Sequence, residues 1–184
     1  MQENYLSALK ALEKLKDGNK IYLNSKTGSG DVSLEKRLDL SKNGQKPYAV
    51  IVSCSDSRVI PEYLFSAGLG ELFVVRVAGN VIDNHQLGSI EYAVNRLGCK
   101  LIVVLGHTQC GAVGGALKQN AGYLKFITDE ISLAIGGETD AVRASILNVK
   151  RSVAKIKDAL QDIEGLQVSG TLYHTDSGKV DFDI

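Results

Sequence analysis

Two short segments hold the side chains most able to do chemistry. Cys54-Ser55-Asp56-Ser57-Arg58 follows the apolar run Tyr48-Ala49-Val50-Ile51-Val52, and His107-Thr108-Gln109-Cys110-Gly111 follows Leu101-Ile102-Val103-Val104-Leu105-Gly106. Two thiolates and an imidazole form a borderline-soft ligand set suited to zinc, with one coordination position left for water. His107 and Cys110 have the tight spacing common in zinc sites. Zinc brings the pKa of a bound water toward neutrality, and the hydroxide so formed can attack a small electrophilic carbon. Asp56 reads either as a fourth ligand or as the acceptor of a hydrogen bond from that water, and Arg58 can hold it by a bidentate pair. The residues alone leave two other readings open. One is a cysteine nucleophile with His107 as its base. The other is no site at all, since a Cys at the end of a buried strand is usually core and an Asp–Arg pair is often an ordinary turn.

These side chains meet only if the elements beneath them place them together. Each segment begins where a Val- and Ile-rich run stops, and such runs read as strands buried on both faces. Parallel strands line up their carboxyl ends along one edge, where open α/β sheets put their sites. Strands are expected at 48–53, 71–77 and 101–105, with a turn at Ala78-Gly79-Asn80. Pro61 fits the first turn of a helix over 61–66, and Leu87, Ile90, Ala93, Val94 and Leu97 form the apolar face of another over 86–97. A short helix is expected from Gly111 to Leu117, then helices over 121–135 and 139–162. Val142, Ile146, Val149, Val153, Ile156 and Leu160 make the apolar stripe of the last. Residues 166–174 and 179–183 read as strands around the Asp176-Ser177-Gly178 turn.

At the N-terminus, Leu6, Leu9, Leu12 and Leu15, beside Tyr5 and Ala8, mark an amphipathic helix over 2–17, with Gly18 as its cap. A loop follows at 25–30, then a helix over 33–43 with Ser33 or Asp31 as N-cap and Gly44 as its end. The fold expected for 1–184 is a single α/β domain. Its mostly parallel central sheet has about four parallel strands plus an antiparallel C-terminal edge strand, flanked by helices. Residues 1–43 form a helical arm that lies on its own domain or across a partner subunit, the second being expected.

Composition narrows the function. A chain of 184 residues suffices for one domain with a sizeable core. Its 21 basic and 21 acidic residues balance, which gives no reason to expect nucleic acid or a membrane surface as partner. The longest apolar runs are too short to span a bilayer, and Met1-Gln2-Glu3-Asn4-Tyr5 lacks the pattern of a signal peptide, so a cytoplasmic protein is expected. Three cysteines, two of them in the proposed site, argue against a disulfide framework. Cys99 reads as a small core residue.

With Val59 and Gly106 added, the paired segments resemble those of the β-class carbonic anhydrases. The resemblance continues through Gly70-Glu71-Leu72-Phe73-Val74-Val75-Arg76, Ala78-Gly79-Asn80 and Ser89-Ile90-Glu91-Tyr92-Ala93, and covers most of the chain from Gln45 to about Leu117. It implies zinc-dependent, reversible hydration of carbon dioxide to bicarbonate and a proton, by attack of zinc-bound hydroxide. Hydrolysis of carbonyl sulfide or carbon disulfide at the same zinc site is the alternative. Position by position, the resemblance implies Cys54, His107 and Cys110 as zinc ligands and Asp56 and Arg58 as the catalytic dyad. It implies Gln45, Phe73, Tyr92 and Gly111 for the substrate pocket. Taken alone, Gln45 would be a turn residue and Phe73 and Tyr92 core packing. The family implies a homodimer or homotetramer with sites at the subunit interface, so Gln45 is expected to serve a neighbouring subunit's metal.

Family members inhibited by movement of the aspartate onto zinc carry a tryptophan three residues before the first cysteine. Here that residue is Ile51, the chain has no Trp, and only Arg76 matches that inhibitory site. The sequence therefore resembles the members with a constitutively open site. His85 and His174 are candidate proton shuttles, against the plainer reading of surface histidines. A protein that keeps zinc only for structure would need neither Asp56, Arg58 nor Gln45. A cysteine hydrolase would survive chelation and be lost on thiol alkylation.

Overall fold

The computed structural model describes residues 6–25, 30–118 and 125–184. Helix α1 (Ala8–Asn24) opens on Ser7, whose hydroxyl accepts the Lys10 amide. The expected helix start at 2–5 lies outside the described residues, and α1 runs straight through Gly18. A Cβ there would stand 1.9 Å from the carbonyl oxygen of Phe65, so this glycine is a point of close approach and not a cap. Beside it, the Asn19 side chain donates to the carbonyls of Leu64 (3.2 Å) and Gly178 (3.1 Å) and accepts the Val180 amide (3.1 Å). Ala11, Leu12 and Leu15 are buried in the same chain, while Leu9 points out. Within the chain, α1 thus packs on its own domain. Helix α2 (Leu34–Asn43) has the expected Ser33 cap and ends at Gly44, at φ 74°, but buries none of its side chains. Of the expected loop at 25–30, residues 26–29 lie outside the described residues.

The chain continues through β1 (Ala49–Ser53), α3 (Pro61–Leu64), β2 (Leu72–Arg76), a 3-10 turn (Ala78–Asn80) and α4 (Asn84–Leu97). Then come β3 (Leu101–His107), α5 (Gly111–Leu117), α6 (Lys125–Ile135), α7 (Ala141–Ala159), β4 (Gln167–Tyr173) and β5 (Val180–Phe182). The first residues expected for α6, 121–124, lie outside the described ones. The five strands form one sheet in the order β2-β1-β3-β4-β5, with β5 alone antiparallel. This is the expected α/β architecture, and each parallel step is bridged by helix.

Alternation along the strands divides the core. Ala49, Ile51, Leu101, Val103 and Leu105 pack under α1 and α3. Val50, Val52, Ile102 and Val104 pack under α4 and α7. A third cluster, at the carboxyl edge, joins Cys54 and Cys110 to Val113, Ala116, Ile131 and Ala144. Cys99 is buried with its thiol on the Pro47 carbonyl, as expected of a core cysteine. Among the described residues no helix is long and apolar enough to cross a membrane.

Candidate metal centre

β1 and β3 are adjacent, with Ser53 beside Leu105, so the chain leaving β1 at Cys54 arrives next to the end of β3. That strand is longer than its apolar run: Gly106 and His107 stay in it, His107 pairing with Tyr173 of β4. A turn follows in which Gln109 takes φ 57°, and it returns Cys110 to the start of α5. The result is a cluster in which the ligand atoms of Cys54, His107 and Cys110 lie within 4.8 Å of one another. All three residues are buried, and both cysteines are free thiols.

The donor chemistry fits a metal ion. His107 Nδ1 is 2.9 Å from the Thr108 carbonyl, which places the ring proton on Nδ1 and leaves the Nε2 lone pair free. Nε2 is buried and has no hydrogen-bond partner among the described residues. A buried ring nitrogen without a partner is costly, and a cation between it and two thiolates would satisfy it. The Cys54 thiol is held well below its usual range, chiefly by a hydrogen bond from the Cys110 thiol; burial opposes this, and His107 and the amides of Gly79 and Asp56 add to it. Cys110 moves up as the partner that keeps the proton.

Asp56 and Arg58 stand beside this cluster as a closed fork. Asp56 Oδ1 accepts the Arg58 amide (2.9 Å) and Nε (3.0 Å), and Oδ2 accepts Nη2 (2.8 Å). These bonds hold the Asp56 carboxyl at about 2, the Arg58 side chain being the largest cause, against a smaller effect of burial. Oδ1 has both lone pairs engaged, whereas Oδ2 keeps one acceptor position. Two further residues support this segment. Gln109 accepts from Arg58 through its side-chain Oε1 (3.3 Å) and its backbone carbonyl (3.1 Å). Arg76, read from sequence as a match to an inhibitory site, donates to the carbonyls of Cys54 (3.1 Å) and Asp56 (2.8 Å). The one sequence signal for Gln109 was its place between His107 and Cys110.

The remaining candidates are placed differently. Gly111 opens α5 beside Cys110, is exposed, and has only open space where a side chain would stand. Gln45 precedes β1, at the opposite end of that strand from Cys54, with roughly 17 Å of strand between them. Phe73 pairs with Val50, roughly 10 Å back from the carboxyl edge. It contacts Tyr92, with ring centroids 6.2 Å apart. Tyr92 and Gln45 line one pocket of about 380 Å³ with Asn43, Lys46, Arg96 and Leu97. Within one chain, then, Gln45, Phe73 and Tyr92 gather near one another and away from the Cys-His-Cys cluster. His85 is almost fully exposed, and His174 is tied to Asp181 at 2.7 Å.

Comparison with known proteins agrees with this geometry. A family model described as carbonic anhydrase matches residues 49–136. A carbonic anhydrase of Mycolicibacterium smegmatis is 38% identical over 188 aligned positions, covering 93% of this chain and 91% of that one. Among solved structures, the β-carbonic anhydrase CafA of Aspergillus fumigatus superposes with a TM-score of 0.73 at 28% identity, over 95% of this chain and 89% of that one. A β-carbonic anhydrase of Sordaria macrospora, described as tetrameric, gives 0.67 at 26% identity, over 80% and 90%.

Proposed function

The chain belongs to the β-class carbonic anhydrase family, and from that premise we propose that it interconverts carbon dioxide and bicarbonate with a zinc ion held by Cys54, His107 and Cys110. The observation that carries this reading is the buried Nε2 of His107, without a partner among the described residues, beside two free thiols. Three protein ligands leave a fourth position open, as in catalytic zinc sites, whereas structural sites use four. Zinc so held supplies a Lewis acid that makes water nucleophilic near neutral pH. Asp56 offers the free acceptor position of Oδ2 to a proton of the reacting water and orients it. Arg58 keeps that carboxylate charged and turned to itself, and Gln109 keeps Arg58 in place. Gly111 leaves room beside Cys110 for a small linear substrate.

Gln45, Phe73 and Tyr92 fit this reading as parts of the pocket of a second copy, because each lies away from its own chain's cluster. Helix α2 has no buried side chain, and Leu34 and Leu38 are largely exposed on it. Together with the outer face of α1, it supplies the apolar area such a copy would cover, so residues 1–43 bridge the two subunits. Free thiols fit a reducing compartment such as the cytoplasm. The test is stopped-flow hydration of carbon dioxide at about pH 6.5, 7.5 and 8.5, across the titration expected of the reacting water, with zinc content measured on the same sample. Rapid turnover near one zinc per chain, rising with pH and lost in Asp56→Ala, supports the reading. No turnover at any pH with full zinc overturns it and makes carbonyl sulfide and carbon disulfide the next substrates to try.

A further inference from the structure

The apolar stripe of α7 has a polar neighbour. Asn148, Ser152 and Lys155 stand four and three residues apart and so share one side of the helix. Asn148 and Ser152 are 2% and 3% exposed, a burial that side chains of this kind accept only when hydrogen-bonded. Each donates to a backbone carbonyl of the segment after β2. Asn148 Nδ2 reaches the Gly79 carbonyl (2.7 Å), Ser152 Oγ the Asn80 carbonyl (2.9 Å) and Lys155 Nζ the Ile82 carbonyl (3.2 Å). Glu130 of α6 holds the Lys155 ammonium in turn. The segment is therefore pinned along its length by one helix face.

What is pinned is the residue that meets the site. The Gly79 amide donates to Cys54 Sγ at 3.2 Å. Gly79 takes φ 69°, and a Cβ there would lie 2.8 Å from Ile131 Cδ1 and 3.0 Å from Ala112 Cβ, so α5 and α6 close on it from outside. The carbonyl and amide of one residue are thus fixed between Asn148 and the ligand sulfur. An amide proton aimed at sulfur stabilises the thiolate that must bind the metal and sets the direction of its lone pairs.

We propose that Asn148, supported by Ser152 and Lys155, is a positioning residue for the metal ligand Cys54, acting through the backbone conformation of Gly79. This rests on the metal reading of the cluster and does not depend on which substrate is turned over. The Asn148 amide donates to the Gly79 carbonyl and so holds the orientation of the residue whose own N–H, in the preceding peptide unit, points at sulfur. Loss of the donor lets the turn relax away from Cys54. Asn148→Asp is the sharper variant, because it keeps the size of the side chain and puts an acceptor against the carbonyl.

The experiment measures zinc affinity by competition with a chromophoric chelator, together with the thiolate-to-cobalt absorption band of the cobalt-substituted protein. Asn148→Ala and Asn148→Asp should each weaken zinc binding by about tenfold or more, the usual effect of removing a ligand's hydrogen-bond support, and should shift the cobalt band. Val153→Ala, on the same helix but against Gly170, lowers stability without touching the segment and should leave both readouts unchanged. Wild-type zinc affinity and an unshifted band in both Asn148 variants overturn the proposal. If those variants do not fold, the wild-type protein decides by NMR with a spin-half cadmium isotope in place of zinc. Scalar coupling between cadmium and the Gly79 amide proton supports the proposal, and its absence overturns it. A wild-type chain that takes up no metal overturns the metal reading itself and this proposal with it.

Discussion

Gly18→Ala decides where α1 belongs. In an exposed helix interior this substitution adds about 1 kcal/mol of stability, because alanine loses less backbone entropy on folding. Here the added Cβ would lie 1.9 Å from the Phe65 carbonyl oxygen and 2.6 Å from its carbon, both backbone atoms that no side-chain rotation can move aside. The helix must lift by an ångström or more, and overpacking of this kind costs about 1–3 kcal/mol. Lifting also lengthens the two bonds from Asn19 to Leu64 and Gly178, at 3.2 and 3.1 Å, each worth about 1 kcal/mol. The helix-propensity gain offsets only part of this, which leaves a net destabilisation of about 1–4 kcal/mol. Urea unfolding of wild type and variant at equal protein concentration measures it. A variant more stable than wild type by about 1 kcal/mol would refute the reasoning and show that α1 docks elsewhere, as an arm laid wholly on a second subunit would.

Arg58→Lys keeps the charge but not the fork. It removes the paired bonds to Asp56 and both ties to Gln109, and should lower kcat by about ten- to hundredfold, with zinc content unchanged in the same sample. Glu71 gives a pH test of the α1 contact. Burial raises its pKa, but the Lys14 ammonium and the Gly68 amide, each at 2.7 Å, outweigh burial and leave it lowered. A depressed folded pKa contributes stability above the unfolded value of about 4.3, and that stability is lost as pH falls through the folded value. Wild type should exceed Glu71→Gln by about 1 kcal/mol near neutrality, and the gap in urea midpoints should close as pH falls below about 4.

The clustered side chains were legible in the sequence because Cys54 and His107 each follow an apolar run whose length and composition specify a strand, with Cys110 three residues beyond His107. The strand reading alone brings Cys54 and His107 to one edge. The family resemblance supplied Gln45, Phe73 and Tyr92, and the single chain shows why local pattern could not: they gather at the far end of β1 and β2, so any role at a metal needs a second copy. Gly18 was misread because a glycine after an apolar stripe signals a cap as readily as a close crossing, and only the backbone of Phe65 distinguishes the two. The stripe on α7 was read for its apolar members. Asn148 and Ser152 share its period beside the apolar face, and a polar pair at that position is a signal for buried donors that the count of hydrophobic residues passes over.

Where flexibility can reside in this site follows from its bonds. Arg76 holds the carbonyls of Cys54 and Asp56, and the Val59 amide also donates to Asp56 O at 2.9 Å, so the backbone from Cys54 to Asp56 is fixed from two sides. Cys54 Sγ is fixed by the Gly79 and Asp56 amides. The Asp56 carboxylate can therefore move only by rotation about its own side-chain bonds, and Arg58 alone among the hydrogen-bond donors found for it resists that rotation. Arg58 is exposed but tied twice to Gln109, which sits between two of the proposed ligands in a left-handed conformation rare for a residue with a side chain. The strain at Gln109 and the position of Asp56 are thus coupled through one guanidinium. The Gln109 turn thus carries two duties, since it ties Arg58 on one side and sets Cys110 at the start of α5 on the other, whereas Cys54 and His107 stand at strand ends that need no such turn.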